Sequence, residues 1–192
     1  MSAVIDNSAE FVHAHYRELL IGCGNRRDKR VMLKDDDGKW SNLTTLDIDP
    51  SVKPDVLFDL DTLPASRLPF EDDTFNEIHA YDVLEHFGRA GDWKAFFGQF
   101  SEFWRVLKPG GLFFACVPHW ESSWAWGDPG HTRVIPRDML IFLSQSAYAA
   151  QVGDTPMTDY RPWYKADFET AGVNEDNPDV LQFVLRAIKV QP

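Results

Sequence analysis

Two glycines that flank one small residue, Gly22-Cys23-Gly24, follow an apolar run at residues 19–21 of the chain. Glycine has no Cβ, so the backbone there can turn sharply and approach a bound molecule closely. Asp47 ends the next strand-like run, about 20 residues later, where an acid is placed to bind ribose hydroxyls. These residue types at this spacing indicate a site for a nucleoside-containing ligand.

The glycine turn departs from the pattern of dinucleotide-binding enzymes. That pattern, Gly-x-Gly-x-x-Gly, uses its third glycine for close packing beside a pyrophosphate. Arg27 stands at this position, and its bulk favours a nucleoside without phosphates. An ordinary strand-to-loop turn without any ligand is the alternative that the glycines alone leave open.

Hydrophobic patterning predicts the α/β elements that would position such a site. Phenylalanines at three- and four-residue steps predict a helix over residues 93–107. Strand and crossover alternate, which favours a mostly parallel sheet. The gap between the second and third strands is too short for a helix, so the crossovers at this edge are expected to be reduced. The first five predicted strands cover residues 18–22, 43–50, 54–59, 76–82 and 112–117.

The remaining segments are predicted from weaker patterns. A leading helix is expected over residues 8–17, and a second helix over residues 136–148. Residues 26–42 form a short helix or an irregular segment, and residues 160–168 and 180–190 form a final antiparallel pair at the far edge. The apolar residues expected to cover the sheet from the 26–42 segment are Val31, Met32, Leu33 and Trp40.

The composition fits a single domain, residues 1–192, with 44% hydrophobic and 26% charged residues. The sequence has no apolar run of about 20 residues, so it predicts no membrane span and no membrane association. The N-terminus lacks the basic region of a secretory signal, and the expected location is cytoplasmic. A net charge of −11 argues against a broad grip on nucleic acid.

The order of these motifs resembles that of class I S-adenosylmethionine-dependent methyltransferases with a type 11-like methyltransferase domain. The resemblance implies a Rossmann-like α/β fold whose cofactor-binding core spans residues 18–118. Residues 119–192 would supply a substrate loop and the far-edge strands. The matching pieces are Leu20-Ile21-Gly22-Cys23-Gly24-Asn25, Leu46-Asp47-Ile48-Asp49-Pro50, Asp59-Leu60, residues 68–75, Tyr81-Asp82-Val83-Leu84-Glu85-His86-Phe87 and residues 104–111.

The resemblance also implies S-adenosylmethionine as the cofactor and S-adenosylhomocysteine as its product. The glycine turn would run beneath the methionine part, Asp47 would hold the ribose, and Ile48 would pack on the adenine. Asp59 would meet the adenine amino group, and Asp82 would face the methionine end and the substrate. The cofactor-binding residues implied in this way are Gly22, Cys23, Gly24, Asn25, Asp47, Ile48, Asp59, Leu60 and Asp82.

The sequence lacks one acid of the family pattern, and at two other places it has a second acid beside the expected one. Leu20 stands where the family often has an acid, two positions before the first glycine. Asp49 and Asp61 each follow a family acid by two positions, which puts both members of a pair on one strand face. The family's order favours Asp47 and Asp59 as ligands, and turn formation is expected of the other two.

Histidines beyond the fourth and fifth strands are the candidates for acid–base chemistry. A sulfonium methyl is a good electrophile, so the enzyme mainly aligns a nucleophile, and a base helps only where that nucleophile starts protonated. His119 and His131 are the candidate catalytic residues, each with an ordinary loop role as the alternative, and His86 is a weaker candidate. No cysteine and histidine cluster has metal-ligand spacing, so no metal is predicted. The tryptophans expected to roof the pocket or to cover the sheet edge are Trp120, Trp124 and Trp126.

The expected function is methyl transfer to an unidentified acceptor, with a small molecule favoured by the size of the chain. A nucleic-acid or protein acceptor, held by the basic residues at positions 26–34, is the open alternative. Two other functions are weighed against this one, a nicotinamide-dependent oxidoreductase and a module that binds S-adenosylmethionine without turnover. The oligomeric state is not predicted.

Overall fold

Seven strands form one sheet in the computed structural model, which describes residues 15–189. They are β1 (Glu18–Ile21), β2 (Leu43–Asp47), β3 (Val56–Leu57), β4 (Phe75–Tyr81), β5 (Leu107–Pro118), β6 (Phe168–Asn174) and β7 (Val180–Ala187). Their order is β3-β2-β1-β4-β5-β7-β6. Strands β1 to β5 are parallel, and β7 pairs antiparallel with both β5 and β6. The predicted mostly parallel sheet with an antiparallel far edge is confirmed.

The helix between β4 and β5, α1 (Trp93–Val106), matches the helix predicted over residues 93–107. It begins at the N-cap Asp92, whose side chain accepts a hydrogen bond from Ala95 N at 3.0 Å. This bond satisfies one of the free backbone donors of the first turn. Its phenylalanine face is buried on the sheet, where Phe103 stacks on Phe113 of β5 with ring centroids 5.0 Å apart.

The core lies on both faces of the sheet, and β5 contributes to each. Phe113 packs on the face that α1 covers, whereas Phe114 packs on the opposite face with Leu20 and Val31. Alternate residues of a strand point to opposite faces, so an uninterrupted apolar run is buried on both. The prediction of a doubly buried strand at residues 112–117 is therefore confirmed, although β5 begins five residues earlier, at Leu107.

The crossovers at the β2 and β3 edge are reduced, as predicted. Residues 26–42 contain no helix, and only a 3-10 turn, Pro50–Val52, separates β2 from the two-residue strand β3. The prediction for the apolar residues of the 26–42 segment was wrong in part. Val31 is buried, but Met32 and Leu33 are 42% and 51% exposed. In an irregular segment, neighbouring side chains point in different directions. Val31 therefore packs on the sheet, whereas Met32 and Leu33 point towards solvent.

The second half of the chain departs from two predictions. The helix predicted over residues 136–148 is a 3-10 helix, Arg137–Leu143, followed by the short α-helix Gln145–Ala149. The strand predicted over residues 160–168 was wrong, because β6 begins only at Phe168. Tyr164 instead packs on Phe97 of α1, with ring centroids 4.7 Å apart. The helix predicted over residues 8–17 lies mostly outside the described residues.

Lys29, in the connection from β1 to β2, has a buried ammonium group with 3% of its side chain exposed. Its Nζ lies 2.7 Å from Glu18 Oε1, 3.0 Å from Asp36 Oδ2 and 3.1 Å from Glu77 Oε2. Burial by itself would lower the pKa of Lys29, but hydrogen bonds to these carboxylates raise it above its ordinary value. The ammonium therefore stays charged and ties this connection to β1 and β4.

The carboxylate of Glu77 is held in its charged form by the same cluster. Burial by itself would raise its pKa, but hydrogen bonds from His79 at 2.9 Å and Tyr16 at 2.6 Å lower the pKa to about 2. The ring of His79 stacks on Phe114 with centroids 4.6 Å apart. Polar and apolar contacts on this face are therefore interleaved rather than separate.

We expect Lys29→Met to lower the free energy of unfolding by about 3 kcal/mol, because removal of one partner leaves buried charges uncompensated. The measurement is urea-induced unfolding at pH 7, followed by circular dichroism. Lys39→Met is the matched control, since Lys39 lies in the same connection with a side chain that is 82% exposed. Equal losses in the two variants would contradict the structural role of Lys29.

Candidate active site

The glycine turn lies at the carboxyl end of β1, where Gly22 and Gly24 have φ values of +62° and +47°. A Cβ placed on Gly22 would lie 2.4 Å from Val83 Cγ2, so only glycine lets the turn pack against the end of β4. A Cβ on Gly24 would meet nothing within 4 Å. One glycine therefore closes the turn against the protein, and the other borders open space that a ligand can enter.

Asp47 ends β2 and directs its carboxylate at this turn. Its Oδ2 accepts a hydrogen bond from Gly24 N at 2.9 Å, and its Oδ1 accepts one from Asp49 N at 2.9 Å. Ile48 follows with 55% of its surface exposed. Asp49 caps the 3-10 turn by accepting hydrogen bonds from Ser51 N and Oγ. Asp47 thus faces the turn, whereas Asp49 forms the next one.

The segment after β3 contributes the second pair of acids. Asp59 caps a 3-10 turn, Leu60–Thr62, by accepting a hydrogen bond from Asp61 N at 2.9 Å. Asp61 Oδ1 accepts a hydrogen bond from Gly88 N at 2.8 Å, which joins this turn to the segment after β4. Leu60 is buried in the core. Both acids therefore have local structural partners, and Asp59 uses only one of its carboxylate oxygens in this way.

Asp82 stands at the carboxyl end of β4 in a left-handed conformation, with φ of +51°. Its Oδ2 pairs with Arg30 Nη2 at 2.6 Å, and about half of its side chain is exposed. Cys116, at the end of β5, donates from Sγ to Asp82 Oδ1 at 3.5 Å. Burial raises the pKa of the Cys116 thiol to about 12, so this cysteine is neutral and unreactive at physiological pH.

A cavity of about 550 Å³ lies between the segment after β4 and the loop after β5. Its lining is mostly apolar, and the N-terminal turns of α1 form one of its sides. His131 is the histidine in this lining. Trp120 and Trp126 line the cavity, as expected for a roof, whereas Trp124 is not part of the lining and is 66% exposed. The aromatic residues that line the cavity are Trp93, Phe96, Phe97, Trp120, Trp126, Phe142 and Tyr160.

Glu85 lies between the cavity and Asp82, on the 3-10 turn Leu84–His86. Its carbonyl accepts hydrogen bonds from Thr132 N and Arg133 N, which fixes the loop after β5 to the segment after β4. Glu85 is only 2% exposed. Neither oxygen of its carboxyl group has a hydrogen-bond partner within the described residues. Burial, helped by the charge of Asp82, raises the pKa of Glu85 to about 7.

The two candidate histidines have different surroundings. His131 Nε2 lies 3.9 Å from Glu85 Oε1, and its Nδ1 donates to Trp124 O at 2.8 Å. His119 is held through both ring nitrogens, with Nε2 3.5 Å from Glu175 Oε1 and Nδ1 accepting from Glu121 N at 3.3 Å. Sequence reasoning did not single out Glu85, although it stands directly before a histidine after the fourth strand.

The basic residues at positions 26–34 do not form one exposed patch. Lys29 is buried against carboxylates, and Arg30 pairs with Asp82. Arg27 Nη2 donates to the carbonyls of Val52 and Lys53 at 2.9 and 3.0 Å. These side chains hold the connection from β1 to β2 in place. Arg26, by contrast, has 85% of its side chain exposed, and Lys34 is exposed as well.

Comparison with known proteins gives the family of this fold. The family described as "Methyltransferase domain" matches residues 19–115, half of the chain, so the protein belongs to this family. No curated protein matches the sequence. Within the described residues, no helix has both the length and the apolar character needed to cross a membrane.

Solved structures share the fold at low sequence identity. An S-adenosylmethionine-dependent methyltransferase from Archaeoglobus fulgidus is 14% identical with a TM-score of 0.54, over 94% of this chain and 90% of that one. A second, from Mesorhizobium loti, is 14% identical with a TM-score of 0.51, over 90% and 91%. Geranyl diphosphate C-methyltransferase from Streptomyces coelicolor A3(2), in complex with Mg²⁺, geranyl diphosphate and S-adenosyl-L-homocysteine, is 12% identical with a TM-score of 0.53, over 95% and 77%.

Family and fold together define a class I S-adenosylmethionine-dependent methyltransferase, and S-adenosylmethionine is its cofactor. The family assignment argues against the alternative hypothesis of a nicotinamide-dependent oxidoreductase. The residues at the glycine turn fit such a cofactor, because open space borders Gly24 and the carboxylate of Asp47 lies beside it.

We expect Gly22→Ala to destabilise the protein more than Gly24→Ala, by about 1–3 kcal/mol. Both substitutions strain a backbone with positive φ, but only Gly22→Ala also forces a methyl group into Val83, and such overpacking costs about that amount. Urea-induced unfolding of the two variants, measured without cofactor, tests this. A loss in Gly24→Ala as large as in Gly22→Ala would contradict the packing against Val83.

Proposed function

We propose that the protein transfers a methyl group from S-adenosylmethionine to a small, largely apolar molecule that binds in the aromatic cavity. The observation that carries this proposal is the position of the cavity, whose lining residues follow the carboxyl ends of β4 and β5. His131 of this lining lies 3.9 Å from Glu85, three residues after Asp82. Ligands of open α/β sheets bind beyond this edge. The cofactor and the acceptor would therefore meet where β4 and β5 end.

The glycine turn and the ends of β2 and β3 are proposed to hold the cofactor. Asp47 already accepts hydrogen bonds from two backbone amides, and its carboxylate has lone pairs left for ribose hydroxyls. Exposed Ile48 offers an apolar surface to the adenine ring. When bound, the cofactor supplies an electrophilic methyl group on its sulfonium sulfur. The residues proposed to contact it are Gly22, Cys23, Gly24, Asn25, Asp47, Ile48, Asp59, Leu60 and Asp82.

The size and lining of the cavity support a small acceptor. A volume of about 550 Å³ lies within the range of about 300–1,000 Å³ that is typical of small-molecule sites. Its aromatic walls exclude water from a bound molecule, which favours an attack on the methyl group over side reactions. A nucleic-acid or protein acceptor is less well supported, because the basic side chains of residues 27–30 are engaged within the protein.

His131 is proposed to contact the acceptor, because its ring lines the cavity. Its Nδ1 donates a hydrogen bond to the carbonyl of Trp124, which orients the ring and leaves the lone pair on Nε2. His119, the second candidate, faces Glu175 and Glu121 instead. The geometry thus favours His131 of the two histidines for a role in catalysis.

Asp47→Ala should weaken the binding of S-adenosylhomocysteine, because the ribose loses its carboxylate partner. The measurement is the rise in melting temperature on addition of this ligand, since a ligand that binds only the native state stabilises it. Asp49→Ala is the matched control, as Asp49 bonds to Ser51 rather than to the glycine turn. We expect the shift to be almost lost in Asp47→Ala and largely kept in Asp49→Ala, and the reverse ranking would contradict the assignment.

Met139→Trp should block the acceptor but not the cofactor, because Met139 lines the cavity and a larger ring would fill it. We expect at least a tenfold loss of methyl transfer, about 1.4 kcal/mol, with an unchanged melting shift from S-adenosylhomocysteine. Methyl transfer is measured with labelled S-adenosylmethionine on a panel of small aromatic and aliphatic compounds. Met157→Trp, outside the cavity lining, is the control, and an equal loss in both variants would contradict the acceptor site.

A further inference from the structure

We propose that Glu85, His86 and His131 bind one divalent transition-metal ion, with Zn²⁺ as the best fit, on the wall of the aromatic cavity. A carboxylate oxygen of Glu85 and one nitrogen from each imidazole all lie within 4.8 Å of one another. Imidazole and carboxylate ligands together suit zinc and its transition-metal neighbours better than Mg²⁺ or Ca²⁺. The site is separate from the residues proposed to hold S-adenosylmethionine.

The carboxyl group of Glu85 is the observation that points to a ligand. Glu85 is only 2% exposed, and neither of its oxygens has a hydrogen-bond partner within residues 15–189. Buried polar groups are nearly always hydrogen-bonded, and an unpaired buried carboxylate is costly. A metal ion at this point would satisfy the carboxylate and would compensate its burial.

Each of the two histidines has a backbone carbonyl beside its Nδ1. His86 Nδ1 lies 3.1 Å from Gly130 O, and His131 Nδ1 lies 2.8 Å from Trp124 O. A carbonyl oxygen only accepts hydrogen bonds, so each Nδ1 carries the proton and each neutral ring keeps its lone pair on Nε2. Backbone carbonyls that fix the tautomer in this way are the usual partners of metal-bound histidines.

The spacing of the donors leaves room for one ion. His131 Nε2 lies 3.9 Å from Glu85 Oε1. Two donors that each lie about 2.0–2.2 Å from a shared zinc ion are separated by at most about 4.4 Å. Asp128 Oδ2 also lies 3.9 Å from His131 Nε2, but Asp128 is not part of the cluster of three donors. Ion binding therefore needs only small side-chain movements.

A second cluster in the described residues contains a built-in cation, which the first cluster lacks. Glu18, Glu77 and His79 also come within ligand distance of one another. There the Lys29 ammonium bonds to both carboxylates, so a cation is already built into the protein. No lysine or arginine forms an ion pair with Glu85 among the described residues, so its position is left for an ion from solution.

Three protein ligands leave a coordination position open, which is typical of catalytic rather than structural zinc sites. His131 belongs both to this cluster and to the cavity lining, so the open position is expected to face the cavity. A small molecule with an oxygen donor, such as a phenol or a carboxylate, would bind there. This last step, the class of acceptor, rests on the proposed function, whereas the ion site itself does not.

The test is the binding of Zn²⁺ to the purified protein after removal of metals with a chelator. Isothermal titration calorimetry should give about one ion per chain. Glu85→Gln and His131→Ala should each weaken binding by about 100-fold, because even the loss of an outer partner costs about 10–100-fold. His119→Ala, a histidine beside a different glutamate, is the matched control and should bind as the wild type does. Unchanged binding in the first two variants, or its loss in His119→Ala, would overturn the proposal.

Two further readouts keep the result interpretable. Glu85→Gln preserves the shape of the side chain, and its circular dichroism and melting temperature verify that it folds. Co²⁺ bound in place of Zn²⁺ should give visible absorption that acetohydroxamate, an oxygen chelator, shifts, and an unshifted spectrum would overturn the open position. Absence of Zn²⁺ binding with a retained melting shift from S-adenosylhomocysteine would refute the metal site alone, whereas the opposite pattern would refute the proposed function alone.

Discussion

The ion pairs of the buried Lys29 ammonium are the interaction that holds the connection from β1 to β2 on the sheet. Class I sheets are normally covered by helices, yet the connection from β1 to β2 has no helix and presents few apolar side chains to the sheet. Carboxylates of Glu18 and Glu77, on two neighbouring parallel strands, converge on that ammonium instead. One charged side chain thus replaces much of the contact area that a helix would bury, and it leaves the adjoining glycine turn open.

At the carboxyl edge of the sheet, the segment after β4 joins the proposed cofactor surface to the proposed acceptor surface. The turn at Gly22 packs on Val83, and two residues after Val83 the carbonyl of Glu85 holds the loop that forms the cavity. The segment after β4 is therefore shared by both halves of the site. Because this segment is short, the end of β4 sets the distance between the two halves.

Local patterns predicted the parts of the molecule that depend on local chemistry. The glycine turn, the acid of Asp47 and the phenylalanine face of α1 each repeat a period or spacing that the sequence displays. The packing of residues 160–168 on α1 was not predictable in this way, since Tyr164 contacts Phe97 from a distant segment. Glu85 and His131 were missed as a unit for the same reason. Their proximity depends on a loop whose path is set by backbone hydrogen bonds to the carbonyl of Glu85. Any residue type can form such bonds, so the sequence does not predict them.

The helix-free connection between β1 and β2 also has a dynamic consequence. Its backbone amides lack the repeated bonding that protects a helix, so their exchange with deuterium is governed by local opening. The Lys29 ammonium ties this segment to Glu18 and Glu77, so its separation from these carboxylates contributes to the free energy of opening. The segment borders the glycine turn, and isotope exchange there would act as a built-in reporter of whether that turn is occupied.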